Sequence, residues 1–178
     1  VISAYDMGFE NIYDSVKLLQ NMIDTVTKLE KWNGHLYNWY DIKTLAPLEP
    51  RYVSTVDSGN FVGYLYVVKQ FLTEHKRLYE NVEDYIAIIN KLIEQTDFSL
   101  LYDNSSRLFS IGFDVNENKL TDSYYDLLAS EARQASFIAI SKKDVPVKHW
   151  SSLNRTLTAM NGYKGLISWS GTAFEYLM

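Results

Sequence analysis

Gly34-His-Leu-Tyr-Asn-Trp-Tyr-Asp-Ile-Lys-Thr-Leu-Ala-Pro-Leu-Glu-Pro-Arg-Tyr-Val-Ser-Thr-Val-Asp-Ser-Gly-Asn-Phe-Val-Gly63 lies between two helical patterns, and its reading decides how the rest of the chain is understood. Pro47 and Pro50 each fix φ and remove a backbone donor, so the segment is neither a helix interior nor a central strand. His35, Tyr37, Trp39, Tyr40 and Tyr52 place flat, amphipathic rings where a loop ordinarily carries small polar residues. Such rings suit the apolar face of a pyranose. They serve equally well to plug the end of a helical bundle.

Outward from this stretch the patterns are mostly helical. Ile12, Val16, Leu19, Met22, Ile23, Val26 and Leu29 recur at three- and four-residue steps, which predicts a helix over 9–31. Asn33 and Gly34 read as its stop. A second helix is expected from about Ser58 to His75, with Asp57 or Ser58 as N-cap. Gly59 and Gly63 share one face of it and permit close backbone approach. Tyr85, Ile86, Ile89 and Leu92 form the stripe of a third helix over 82–95. The run 107–120 alternates around an Asn-Glu-Asn turn, which is a β-hairpin signal. A fourth helix is expected over 123–142, capped by Thr121 or Asp122. Pro146 punctuates a loop, 155–160 reads as a short strand or turn, and Gly162, Gly165 and Gly171 mark a loop-rich approach to a last helix.

Composition excludes several function classes. No cysteine is present, so there are no disulfides and no thiolate zinc sites. The net charge of −5 argues against nucleic acid or an anionic membrane surface as partner. No apolar run is long enough to span a bilayer, and the opening residues lack the basic start of a signal peptide. His35, His75 and His149 have no metal-ligand spacing, and no glycine-rich phosphate loop is present. No metal and no cofactor are expected. The start at Val1 and the apolar finish at Phe174, Tyr176, Leu177 and Met178 read as cut ends, so 1–178 is expected to be a single fragment of a larger domain.

Leu127 to Ile140 is apolar nearly all round, the mark of a buried helix, with Glu131 and Arg133 as its only charges. An acid on such a face is either paired inside the fold or opens onto a cavity. Desolvation there would raise its pKa, as a general acid near neutral pH requires. Asp57 before Ser-Gly reads as a helix cap, Asp126 as an acid favouring a helix dipole. Trp39, Tyr40, Tyr125 and Trp169 are candidate stacking rings. Arg51 and Arg133 are candidates for binding hydroxyls or pairing with carboxylates.

Three segments taken together, 34–63, Tyr-Tyr-Asp-Leu-Leu-Ala-Ser-Glu-Ala-Arg (124–133) and Ser-Trp-Ser-Gly-Thr-Ala-Phe-Glu-Tyr-Leu-Met (168–178), resemble the glycoamylase-like region of bacterial cyclic β-1,2-glucan synthases. The resemblance runs over nearly the whole chain, with the motifs in order. It implies a mainly α fold: part of an (α/α)6 toroid related to endo-β-1,2-glucanases, with one inserted β-hairpin. It implies a β-1,2-glucan chain and the remainder of a large parent polypeptide as partners. It also implies a location on the cytoplasmic side of an inner-membrane-anchored protein. Glu131, in the Ala-Ser-Glu-Ala motif, would be the catalytic acid/base. Asp57, Trp39, Tyr40, Arg51, Tyr125, Trp169 and Glu175 would contact substrate. A second catalytic carboxylate is expected outside the chain, so the isolated fragment would be inactive. Half a toroid would also leave an apolar flank that drives self-association. A retaining mechanism suits cyclisation. The alternatives are an inverting β-1,2-glucan hydrolase of the same fold and a non-catalytic glucan-binding scaffold.

Overall fold

The computed structural model describes residues 1–177, the side chains of Leu78 and Met160 excepted; Met178, at the end of the apolar finish, lies outside the described residues. A short helix α1 (Ile2–Asp6) leads into α2 (Ile12–Lys28). Asn11 caps α2, its side-chain oxygen accepting from Asp14 N at 3.0 Å. Val16, Leu19 and Ile23 of α2 are buried. The periodicity therefore located the helix, but not its end. Asn33 and Gly34, read as a helix stop, instead turn a hairpin between β1 (Lys31–Trp32) and β2 (His35–Leu36). Both turn residues have positive φ, 48° and 85°, as a type I′ turn demands. A Cβ at Gly34 would sit 2.2 Å from the carbonyl oxygen of Gln95, so only glycine fits.

The proline-rich loop ends in β3 (Tyr52–Ser54), and α3 (Thr55–Glu74) starts directly from it. The helix begins one turn earlier than the sequence suggests. Its cap is Ser54, whose hydroxyl accepts from Asp57 N at 3.2 Å. Asp57 is thus in the first turn, not at the cap. The physical cause is tertiary: Thr55 Oγ1 donates to Ser110 O at 2.6 Å, and Thr55 N bonds Ile111 O at 3.1 Å. These bonds fix the helix start onto a sheet. The helix α4 (Val82–Gln95) has the expected bounds, with Ile89, Leu92 and Ile93 buried.

Strands follow: β4 (Tyr102–Asp103), β5 (Leu108–Ser110), β6 (Gly112–Asp114), β7 (Lys119–Leu120) and β8 (Tyr124–Tyr125). The expected hairpin turn lies between β6 and β7. The alternating run nevertheless serves two sheets, β3-β6-β7 and β4-β5-β8, and passes from one to the other at Ile111. The remaining elements are α5 (Arg133–Lys142), α6 (Lys148–Ser152), β9 (Leu157–Met160), β10 (Tyr163–Leu166) and α7 (Ala173–Leu177). Asn161 and Gly162, again with positive φ, turn a β9–β10 hairpin where a loop was expected.

The mainly α, partial (α/α)6 toroid with a single inserted hairpin is therefore not what the chain adopts. Helix accounts for 47% of residues and strand for 17%, the latter in four small sheets. With that much strand the fold is mixed. The helices pack as a cluster, α3 against both α4 and α5 and α2 against α4. Two Asn-Gly turns and the non-local pairing of β3 with β6 are what the helix-centred reading missed. His35, fully buried, ties the cluster together: Nδ1 lies 2.9 Å from Ser58 Oγ on α3, and Nε2 lies 2.9 Å from Asp97 O after α4. Burial pushes its pKa down to about 4, so the ring is neutral; Nε2 then carries the proton, because the Asp97 carbonyl can only accept.

Candidate functional site

The segment expected to be one helix over 123–142 is not helical in its first half. Tyr124 and Tyr125 pair with Ser110 and Phe109 as an outer strand. Leu127 then bridges Asn154 in parallel, clasped by Leu128 N to Asn154 O (3.0 Å) and Asn154 N to Asp126 O (2.7 Å). Asp126 is thus in a clasp, not in a first helical turn. Ser130 turns the chain. Its hydroxyl accepts from Ala132 N at 3.1 Å and its carbonyl from Arg133 N at 3.1 Å, the local bonding that makes serine a turn residue. Glu131 accordingly sits on the turn that starts α5, half-buried, and not in the middle of a buried helix.

Glu131 Oε1 accepts a hydrogen bond from the Tyr125 hydroxyl at 3.3 Å. Among the described residues it has no ion pair. The Tyr125 phenol is pushed far up, first by burial and then by the Glu131 charge, with smaller contributions from Tyr52 and Asp57. That phenol is a fixed donor at any ordinary pH. Asp57 is exposed in the first turn of α3. The two helix starts approach because Gly59 lies against Ala135; a Cβ there would be 2.5 Å from the Ala135 Cβ. A carboxylate hydrogen-bonded to a protonated phenol can exchange a proton with a hydroxyl or a glycosidic oxygen placed against it.

Tyr52 was read only as a loop ring. Its hydroxyl lies 2.9 Å from Thr121 Oγ1, and it belongs to this cluster through the β3–β6 pairing. That link is long-range and leaves no signal in the local sequence.

Most of the other candidates have partners of their own. Arg51 pairs with Glu30 (3.0 Å) and Glu49 (3.4 Å), and its guanidinium lies over the Tyr37 ring. Tyr40 is committed to the backbone: its hydroxyl donates to Glu30 O at 2.7 Å and accepts from Tyr37 N at 2.9 Å. Trp39 in the same loop is 48% exposed, and Trp169 is 65% exposed. Glu175 is buried in α7, and its Oε2 is held by several donors of its own loop. It accepts from Ser168 Oγ (3.0 Å), Ser170 N (3.0 Å), Ser170 Oγ (2.6 Å) and Thr172 N (3.3 Å). The Ser170 hydroxyl and the other donors hold its carboxyl down to about 2. Thr172 and Glu175 have the spacing of a capping box, which accounts for the acid structurally. Arg133 Nη2 donates to Tyr176 O at 3.0 Å and so links the Glu131 turn to α7. Among the described residues no group of three or more His, Cys, Asp or Glu could hold a metal ion.

No family model matches the chain. A curated protein of Rhizobium meliloti (strain 1021), the cyclic beta-(1,2)-glucan synthase NdvB, is 26% identical over 300 residues that include all of this chain. The chain is similar to one region of that synthase. This region makes up 11% of the synthase's length. No helix among the described residues is long and apolar enough to cross a membrane.

Proposed function

We propose that this chain is a region of a larger glycosyltransferase-type enzyme that makes cyclic β-1,2-glucan, and that it acts on the linear glucan by transglycosylation. The observation that carries the reading is the Glu131 turn: a half-buried carboxylate, without an ion pair among the described residues and fixed by one phenol. Glu131 is the acid/base. Tyr125 orients its carboxyl, and Asp57 contacts sugar hydroxyls. The exposed rings of Trp39 and Trp169 are sites where the extended chain stacks. Glu175, with its Oε2 held by several donors of its own loop, shapes the last helix rather than touching substrate. A retaining outcome requires a second carboxyl about 5 Å from Glu131, and an inverting one about 6.5–9.5 Å. The similarity to the synthase favours retention, because cyclisation passes a covalent glycosyl intermediate to the chain's own end. The parent is membrane-anchored, with this region on the cytoplasmic side.

The test is Glu131→Gln in the complete enzyme, assayed for conversion of linear β-1,2-glucan into rings. Turnover should fall by roughly 10²–10⁴, the range for loss of a general acid/base, with the melting temperature unchanged. Undiminished turnover would remove Glu131 from the chemistry. Loss of glucan binding with turnover intact on short substrates would make the region a glucan-holding scaffold.

A further inference from the structure

One side of α3 enters the core through Val62, Leu65 and Leu72. The other side faces solvent and is apolar as well: Tyr64 is 59% and Val67 50% exposed. Met22 on α2 and Phe137 on α5 are exposed beside them. A surface helix ordinarily turns polar residues outward, so this face is unusual for a free surface. It is also grooved. One groove runs between α2, α3 and α4, floored by Leu19, Ile23 and Leu92 and rimmed by Met22 and Tyr64. A second runs between α3 and α5 beneath Tyr66 and Phe137. Asp6 and Glu74 lie at the edge, beside Tyr66 and Val67.

We propose that this three-helix face seats an amphipathic helix from the remainder of a longer polypeptide that contains this chain, with Lys or Arg flanking the helix's apolar stripe. The inference rests on the reading that the chain is one region of a larger synthase. Three observations select that occupant. The similar synthase is about nine times as long as the region it shares with this chain, so most of such a polypeptide is available as cover. Grooves on either side of a helix receive the side-chain ridges of another helix. The acids at the rim call for basic residues beside the apolar stripe.

Photo-crosslinking in the full-length polypeptide tests it. Benzoylphenylalanine replaces Tyr64 or Val67, with Lys119, on the far β6–β7 hairpin, as the control position. Irradiation should join both test positions to peptides outside these 178 residues, at the mass of a single polypeptide, and the control should not react. Val67→Glu beside a crosslinker at Tyr64 should abolish that product. Crosslinks to a second copy, crosslinks confined to this segment, no product at all, or a natural polypeptide no longer than this sequence would each overturn the proposal. Glucan turnover is scored separately. Turnover without the crosslink defeats the docking proposal alone, and the crosslink without turnover defeats the proposed function alone.

Discussion

Glu131 and Glu175 stand in two motifs of the same resemblance, yet the structure treats them in opposite ways. Glu131 sits on a turn with one phenol as its hydrogen-bond partner. Glu175 is wrapped by two serine hydroxyls and two backbone amides, which hold its carboxyl down to about 2. A carboxylate tied to several donors of its own loop stabilises that loop. One that is fixed by a single donor can still receive a proton from a substrate. On the proposed reading, the number of donors around each acid separates the two uses.

The comparison breaks most directly in a pair of variants. In the complete enzyme, Glu131→Gln should lower turnover by about 10²–10⁴ without moving Tm. Glu175→Gln should lower Tm and leave turnover within a few-fold. Reversed results would exchange the two roles.

Acid separates the regions next. His35 lies beneath α3 and is neutral when folded, with its pKa pushed from 6.5 to about 4. The unfolded chain takes up this proton first, so stability is full above pH 6.5 and falls as pH drops towards 4. The loss is on the order of 3 kcal/mol. The Glu175 carboxyl is also depressed, from 4.5 to about 2, so its contribution is lost only as pH falls through that lower window. Equilibrium unfolding against pH, in wild type and in His35→Gln, should show the upper step shrink in the variant, with buried His149, whose pKa is also lowered by desolvation, supplying what remains. A single step below pH 4 in the wild type would contradict the burial of His35.

Gly59→Ala sharpens the Glu131 side. The added Cβ lies 2.5 Å from the Ala135 Cβ and 2.6 Å from its Cα, so α5 must move. A cost of about 2 kcal/mol is expected for such overpacking. Turnover should fall further than Tm alone explains, because Glu131 precedes α5 and Asp57 opens α3. The smallest effect belongs to Tyr125→Phe. It deletes one hydrogen bond to a half-buried carboxylate, worth about 1 kcal/mol, and so a roughly fivefold loss in kcat with KM unchanged.

Much of the helical content was legible. The stripe of Ile86, Ile89 and Leu92 locates α4, and the period from Ile12 to Val26 locates α2. Asn33-Gly34 and Asn161-Gly162 carried a hairpin signal that a neighbouring helical or loop pattern masked. Tyr124 to Ala132 misled most. Its apolar run fits a helix, but pairing with β5 and the clasp at Asn154 claim its backbone. The Glu131–Tyr125 contact spans six residues and lies within one motif. The contact of Tyr52 with Thr121 arises from β3–β6 pairing across about sixty residues, which no local pattern encodes.

The clasp between Leu127 and Asn154 also sets a practical limit on trimming. Asn154 accepts from Leu128 N and donates to Asp126 O, so the strand leading to Glu131 borrows its partner from beyond α6. A shortened polypeptide that stops after α5 would keep every residue of the acid's own motif. It would still release the segment that aims it. Protease protection at 126–132 should therefore disappear when the chain is ended before Asn154, even though the cut lies more than twenty residues downstream of the acid.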